Sequence, residues 1–163
     1  MNADAFRYLF GYHFSENHKI WNAYISSLSY EQFIDPVEYS HGSIRDQIVH
    51  IMNVDEIWFS ELRGIDQIEP YIPVGFDDRS AIRHHWDGIE ENMRDYLVHL
   101  KNDQLLTKPI TNNDEDKDLI LWQVLLHVVN HATDHRAQLL RILHDVGVKT
   151  HSQDLIFYVY EHQ

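Results

Sequence analysis

The stretch "LLHVVNHATDHRAQLL", from Leu125 to Leu140, carries three histidines at four-residue intervals: His127, His131 and His135. The helical repeat places such residues one above another on one side of a helix. On a wheel that turns about 100° per residue, His135 lies in the middle of an apolar stripe and His131 lies on its edge. His127 leans toward a polar flank. The pattern therefore predicts a core-facing pair, His131 and His135.

Apolar residues recur at helical spacing in four long segments of the chain. Ser43 is a good N-cap and Gly64 a good C-terminal stop for the second of them. The tail "SQDLIFYVYEHQ" is compatible with a short strand or a last helix. The predicted helices run from Ala3 to Leu28, from just after Ser43 to Gly64, from Asp78 to Lys101 and from Asp118 to Val146.

The connections between these segments are long, and they contain all four prolines of the chain. Connections of this length allow crossovers along a bundle as well as simple hairpins. We therefore predict an all-α protein, a four-helix bundle with long inter-helix connections, that forms one domain over residues 1–163. The predicted connections are Ser29–Gly42, Ile65–Asp77 and Asn102–Lys117.

The composition excludes several classes of function. Acidic residues outnumber basic ones 26 to 13, and the formal net charge of −13 argues against contact with nucleic acid or anionic membranes. The sequence shows neither a secretory signal nor a membrane-spanning stretch, so we expect a cytoplasmic protein. The chain has no cysteine. A metal site would therefore have to use histidine, aspartate or glutamate.

Two histidines at positions i and i+4 on a core face can ligate one metal ion, or they can be core residues that hydrogen-bond to neighbours. A metal site needs a third ligand from another helix. His50, in "IRDQIVHIMNVDEIW", lies near the edge of the apolar face of the second helix. The first and third helices offer fewer inward-facing candidates, of which His85 beside Trp86 is the best. The others there are His13, His18, His84 and His99.

Charged residues near these histidines have two interpretations. Asp46, one turn before His50, could orient an imidazole or act as a general base. We favour the alternative, a first-turn acid that complements the helix dipole. Asp134 and Arg136 flank His135 and are expected on a solvated or ion-paired surface.

Several segments together resemble a known family. "LLHVVNHATDHRAQLLRILHDVG" is similar to the signature helix of the DinB/YfiT-like family of metal-dependent proteins. "GSIRDQIVHIMNVDEIWFSELRG" resembles the family's second helix, with a histidine ahead of a tryptophan-containing segment. "YHFSENHKIWNAYISSL" resembles its first helix and "HSQDLIFYVYE" its C-terminal tail. The resemblance covers nearly the whole chain.

The resemblance implies a four-helix bundle that binds one divalent metal ion, zinc or nickel, through His50, His131 and His135. His127 and Asp134 would lie in the shell around these ligands; many members have a histidine where this chain has Asp134. Three imidazoles leave coordination positions open, which is the layout of a catalytic site.

The family contains thiol-dependent S-transferases and hydrolases of small substrates. We therefore expect a metalloenzyme that acts on a small substrate, either as an S-transferase that uses a low-molecular-weight thiol or as a hydrolase. The alternative is a noncatalytic metal-binding stress-response protein, and a third hypothesis is a pH-sensing bundle. Homodimerisation is a further expectation.

Overall fold

The computed structural model describes residues 1–65 and 68–163 of the chain. Over these residues it is helical and contains no strand, so the predicted all-α class is confirmed. Four long helices occur where the sequence predicts them, and two short helices are added. The α-helices are α1 (Ala3–Ala23), α2 (Tyr30–Ile34), α3 (Ile44–Leu62), α4 (Arg79–His99), α5 (Leu121–Asp145) and α6 (Leu155–Glu161).

Helix α3 begins and ends where the sequence predicts. Ser43 is its N-cap: the Ser43 hydroxyl accepts from the Asp46 amide at 3.1 Å, and the Asp46 carboxylate accepts from the Ser43 amide at 3.2 Å. This reciprocal capping box satisfies two amides that would otherwise lack helical partners. At the other end Gly64 takes a positive φ of 69°, which glycine adopts without steric cost.

The predicted extension of the first helix to Leu28 is wrong. Helix α1 ends at Ala23, and a 3-10 turn follows over Ile25–Ser27. The guanidinium of Arg79 donates to the carbonyls of Ile25 and Leu28, at 2.9 and 2.6 Å. Carbonyls that a continuing α-helix would satisfy therefore have a partner from another segment.

The predicted start of the last long helix at Asp118 is also wrong, since α5 begins at Leu121. The acidic segment before it forms turns instead, in which the Asn113 carbonyl accepts from the Lys117 amide at 3.0 Å. The Leu121 amide donates to the Thr107 carbonyl at 2.9 Å and ties the start of α5 to the preceding segment.

The other connections are partly helical. Helix α2 lies within the predicted connection Ser29–Gly42. The tail forms a helix, α6, rather than the alternative strand. Of the predicted connection Ile65–Asp77, residues 66 and 67 lie outside the described residues.

Helices α1 and α4 run antiparallel. His18 of α1 contacts Glu90 at 2.8 Å, while Arg7, further from the end of α1, donates to the carbonyl of Leu97 at 2.8 Å. Helices α3 and α5 are also antiparallel, as contacts near opposite ends of the two helices show. Gln47, near the start of α3, reaches His135, and the Trp58 ring meets the ring of His127.

Helices α3 and α4, in contrast, run parallel. Arg45 at the start of α3 pairs with Asp77 just before α4, and Glu56 lies 3.2 Å from His85 further along both helices. The connection between them is therefore a crossover that returns along the bundle, as its length allows. None of the helices in the described part of the chain is long and apolar enough to cross a membrane.

The N-cap of α3 yields a first prediction. Ser43→Ala should lower the free energy of unfolding by about 1 kcal/mol, because the Asp46 amide loses its acceptor at a buried helix start. Denaturant unfolding followed by circular dichroism measures this change. Ser26→Ala is the matched control, since the Ser26 hydroxyl is exposed and contacts only the Asn22 carbonyl. An equal loss in both variants would contradict the capping role.

Candidate metal centre

A cluster of imidazoles lies between α3 and α5. The Nε2 atoms of His50 and His131 are 3.0 Å apart. The ring centroid of His135 lies 4.4 Å from that of His50 and 4.2 Å from that of His131. All three side chains are half-buried. The antiparallel packing of the two helices therefore brings His50 close to His131 and His135, which lie 81 and 85 residues further along the chain.

A fourth histidine joins them from the loop before α3. The ring of His41 stacks on that of His50, with centroids 3.7 Å apart and planes inclined by 20°, and it lies 5.1 Å from the ring of His135. His41, His50 and His135 each offer a ring nitrogen within 4.8 Å of the others, so this group could hold a metal ion. His41 is absent from the predicted ligand set, and the predicted ligand His131 is not a member of this group.

The distances suit a divalent ion. Zinc bound by imidazole nitrogens at about 2.0–2.1 Å in a tetrahedral site places neighbouring nitrogens about 3.3 Å apart. The 3.0 Å between Nε2 of His50 and Nε2 of His131 is close to that separation.

The protonation state also suits metal binding. Burial, followed by the neighbouring imidazoles of His41, His135 and His131, lowers the pKa of His50 to about 3. Burial and the nearby His135 and His127 lower the pKa of His131 to about 4. Burial and His41 lower the pKa of His135 as well. At neutral pH these imidazoles are therefore uncharged and have lone pairs available, as metal ligation requires.

Gln47 fixes the orientation of His135. Its side-chain amide lies 2.8 Å from Nδ1 of His135 and donates to the His135 backbone carbonyl at 3.0 Å. Gln47 is fully buried, so its amide has little freedom. Because an amide N–H can only donate, Nδ1 of His135 accepts in this contact, and the neutral ring carries its proton on Nε2. For Nε2 to ligate an ion, that proton would have to move to Nδ1. Contacts to the second ring nitrogen set the tautomer and the orientation of an imidazole in this way.

His131 has one unusual nitrogen. Its Nδ1 is buried and has no hydrogen-bond partner among the described residues. A buried N–H donor without an acceptor is costly, so the less costly neutral tautomer carries its proton on Nε2, where it faces His50. That proton would have to move to Nδ1 for Nε2 to ligate an ion. Buried side-chain nitrogens without a hydrogen-bond partner are rare in native protein structures.

Comparison with known proteins places the chain in a family. A sequence model described as the DinB family matches residues 1–163, the whole chain. The chain belongs to the DinB family. Over 88 residues it is also 28% identical to an aminoglycoside 3'-phosphotransferase of Acinetobacter baumannii. That likeness covers 54% of this chain and 33% of the phosphotransferase, so the chain spans only a third of that relative. It carries no argument about activity.

The other predicted site residues of this DinB family protein lie around the cluster rather than in it. The exposed ring of His127 packs edge-on against Trp58 and lies 5.6 Å from the ring of His131. Asp134 is exposed and accepts from the Gln138 amide at 3.0 Å.

Asp46 is engaged at the start of α3 rather than at the cluster. Its carboxylate accepts from the Ser43 amide at 3.2 Å and pairs with Arg45 at 2.9 Å. This is the helix-start role that the sequence favours over that of a general base.

The predicted surface position of Arg136 is wrong. Arg136 is only 1% exposed, and its guanidinium lies at the centre of a buried polar network. It donates to Asn17 Oδ1 at 2.9 Å, to Gln153 Oε1 at 2.9 Å and to Thr133 Oγ1 at 3.1 Å. The helical spacing of apolar residues did not predict this burial. A charged residue at the edge of an apolar stripe can be buried when distant segments supply hydrogen-bond acceptors.

The same network contains His13, the only fully buried histidine in the described part of the chain. Nη1 of Arg136 lies 3.4 Å from Nδ1 of His13, and Nε2 of His13 lies 3.2 Å from the carboxylate of Asp55. The same carboxylate oxygen accepts from the Trp86 indole at 3.1 Å. The network thus joins all four long helices and carries a buried positive and a buried negative charge.

The network yields a second prediction. Arg136→Met should lower the free energy of unfolding by about 3–5 kcal/mol, because it leaves the Asp55 carboxylate buried without a compensating charge. Denaturant unfolding measures the loss. Arg141→Met is the control, since Arg141 is exposed and pairs only with Asp145 on its own helix. A loss below about 1 kcal/mol for Arg136→Met would show that the network is not essential to the fold.

The lowered pKa values yield a third prediction. A histidine whose pKa falls on folding binds its proton more readily in the unfolded chain, so acid favours unfolding. The loss of stability should begin near the unfolded histidine pKa of about 6.5 and continue toward the folded values, about 3 for His50 and about 4 for His131.

Denaturant unfolding at about pH 7 and about pH 5, in the presence of a chelator, tests this dependence. His50→Gln should show a smaller drop in stability than the unmodified protein. His144→Gln is the control, since His144 lies on the exposed side of α5 away from the cluster. The same drop in His50→Gln and in the unmodified protein would contradict the pKa shift.

Proposed function

We propose that this DinB family protein is a metalloenzyme that binds one divalent ion, zinc or nickel, through His50, His131 and His135. The observation that carries the proposal is the meeting of His50 and His131 at Nε2, 3.0 Å apart, beside the oriented ring of His135. Uncharged imidazoles from two helices suit borderline ions such as zinc and nickel. The side chains that together could hold an ion here are all imidazoles, whereas magnesium and calcium prefer oxygen ligands.

A divalent ion at this position supplies Lewis-acid chemistry, which favours deprotonation of a thiol or a water molecule near neutral pH. The role of the protein is to keep the imidazoles uncharged and correctly oriented. Burial keeps the imidazoles of His50 and His131 from taking up a second proton, and Gln47 fixes the orientation of the His135 ring.

The reaction we propose is transfer of a low-molecular-weight thiol to a small electrophile, or hydrolysis of such a substrate. Since the chain has no cysteine, the sulfur must come from an external thiol. In the transfer, the sulfur forms a bond to the electrophilic carbon, the leaving group departs with its electron pair, and the thiol proton passes to solvent.

We further propose a cytoplasmic location. We also propose that the protein has no nucleic-acid partner, in keeping with the net charge of −13. Homodimerisation stays a prediction.

Metal content is the first test of the proposal. Protein prepared without an affinity tag should contain about one equivalent of zinc or nickel by elemental analysis. His50→Ala and His131→Ala should each lose the metal because each removes a ligand. His144→Ala is the control, since this exposed histidine lies outside the cluster. Full metal content in both His50→Ala and His131→Ala would refute the site.

Turnover distinguishes an enzyme from a noncatalytic metal-binding protein. The loaded protein should accelerate the loss of a free thiol in the presence of small epoxides or activated aryl halides, or hydrolyse small esters or amides. His131→Ala should abolish this activity and keep its helical circular dichroism. If metal removal unfolds the chain and the loaded protein turns over none of these substrates, the noncatalytic alternative holds.

A further inference from the structure

The backbone conformation of the loop determines the position of His41. It lies in the loop before α3, between Ser40 and Gly42, and both of these residues have positive φ, 54° and 102°. A positive φ is uncommon for a residue other than glycine and persists where the surrounding structure determines it. The backbone on either side of His41 is therefore fixed in a conformation that aims this residue at α3 and α5.

Side-chain contacts tie the loop to both helices of the cluster. The Ser40 hydroxyl contacts the side-chain oxygen of Gln47 on α3, at 2.9 Å, and that of Gln138 on α5. Gln47 is also the residue that orients His135. The loop that carries His41 and the partner of His135 are thus parts of one hydrogen-bonded arrangement.

His41 also lies on the solvent side of the cluster. It is exposed, whereas His50, His131 and His135 are half-buried. Its ring nitrogen lies within 4.8 Å of those of His50 and His135, and its ring covers that of His50. A small-molecule substrate that approached the three half-buried imidazoles from solvent would meet His41 first.

We infer that His41 is a fourth, displaceable ligand of the metal. This inference rests on the proposed metal site. In the resting protein, the His41 imidazole fills a position that three histidines would leave open. An incoming anionic or thiol ligand takes its place, and the loop moves aside by rotation about the bonds next to Ser40 and Gly42. His41 thereby makes the resting site closed, which restricts access to ligands that bind the metal more strongly than an imidazole does.

Cobalt(II) serves as the probe, because the intensity of its visible absorption falls as its coordination number rises above four. Tag-free, metal-depleted protein is titrated with cobalt(II) for the unmodified chain, His41→Ala, and the control His144→Ala. His41→Ala should bind cobalt at least about tenfold more weakly, since even the loss of a partner outside the ligand set costs about 10–100-fold in affinity. Its absorption should also weaken as water molecules replace the lost imidazole.

Added imidazole provides the second measurement. It should restore the absorption of cobalt-loaded His41→Ala to that of the unmodified protein, because it can occupy the vacated position. Circular dichroism checks that both variants are folded. His144→Ala should match the unmodified protein in affinity and spectrum.

The possible failures are distinguishable. If the unmodified protein binds no cobalt, both the metal site and the role of His41 are refuted. If His50→Ala loses cobalt while His41→Ala keeps the affinity and spectrum of the unmodified protein, the metal site stands and His41 is not a ligand. If His144→Ala weakens binding as much as His41→Ala does, the effect belongs to exposed histidines in general and the inference is overturned.

Discussion

The buried guanidinium of Arg136 is the constraint on which the arrangement of the helices depends. A charged group without water must be paired and hydrogen-bonded, or it destabilises the fold by several kcal/mol. Here the partners come from α1, from α5 itself and from the segment before α6, and the compensating carboxylate of Asp55 comes from α3 through His13. Each partner can be in reach only if the helices lie in one particular register.

That register also determines the imidazole cluster. His135 and Arg136 are consecutive on α5, so their side chains point about 100° apart around the helix. Arg136 faces α1 and the centre of the bundle, while His135 faces Gln47 on α3. A rotation of α5 that displaced one of them would displace the other. The polar network and the candidate metal centre are therefore positioned by the same packing, although they share no side chain.

The sequence predicts those features that are repeated or local. The spacing of His131 and His135 shows which side of α5 they occupy, and Ser43 and Gly64 mark both ends of α3. Other features depend on contacts between distant residues, which no local pattern contains. The burial of His13 and Arg136 requires acceptors up to 123 residues away.

His41 shows a different limit of prediction. It lies in a loop, where no periodicity indicates the direction of a side chain. A usable signal was nevertheless present: a histidine two residues before the N-cap of the helix that carries His50, between two residues that favour turns. The early end of α1 was less accessible, because it depends on Arg79, which lies more than 50 residues away.

The position of Gln153 has a consequence for how the protein is made. Its side chain accepts from Arg136 at 2.9 Å and donates to the Thr133 carbonyl at 3.1 Å, and its own carbonyl accepts from the Tyr12 hydroxyl at 2.6 Å. During synthesis, α1 and α5 leave the ribosome before this residue does. Until it emerges, the guanidinium of Arg136 lacks one acceptor and the core is incomplete. The full set of acceptors around Arg136 is therefore present only after residue 153 has left the ribosome.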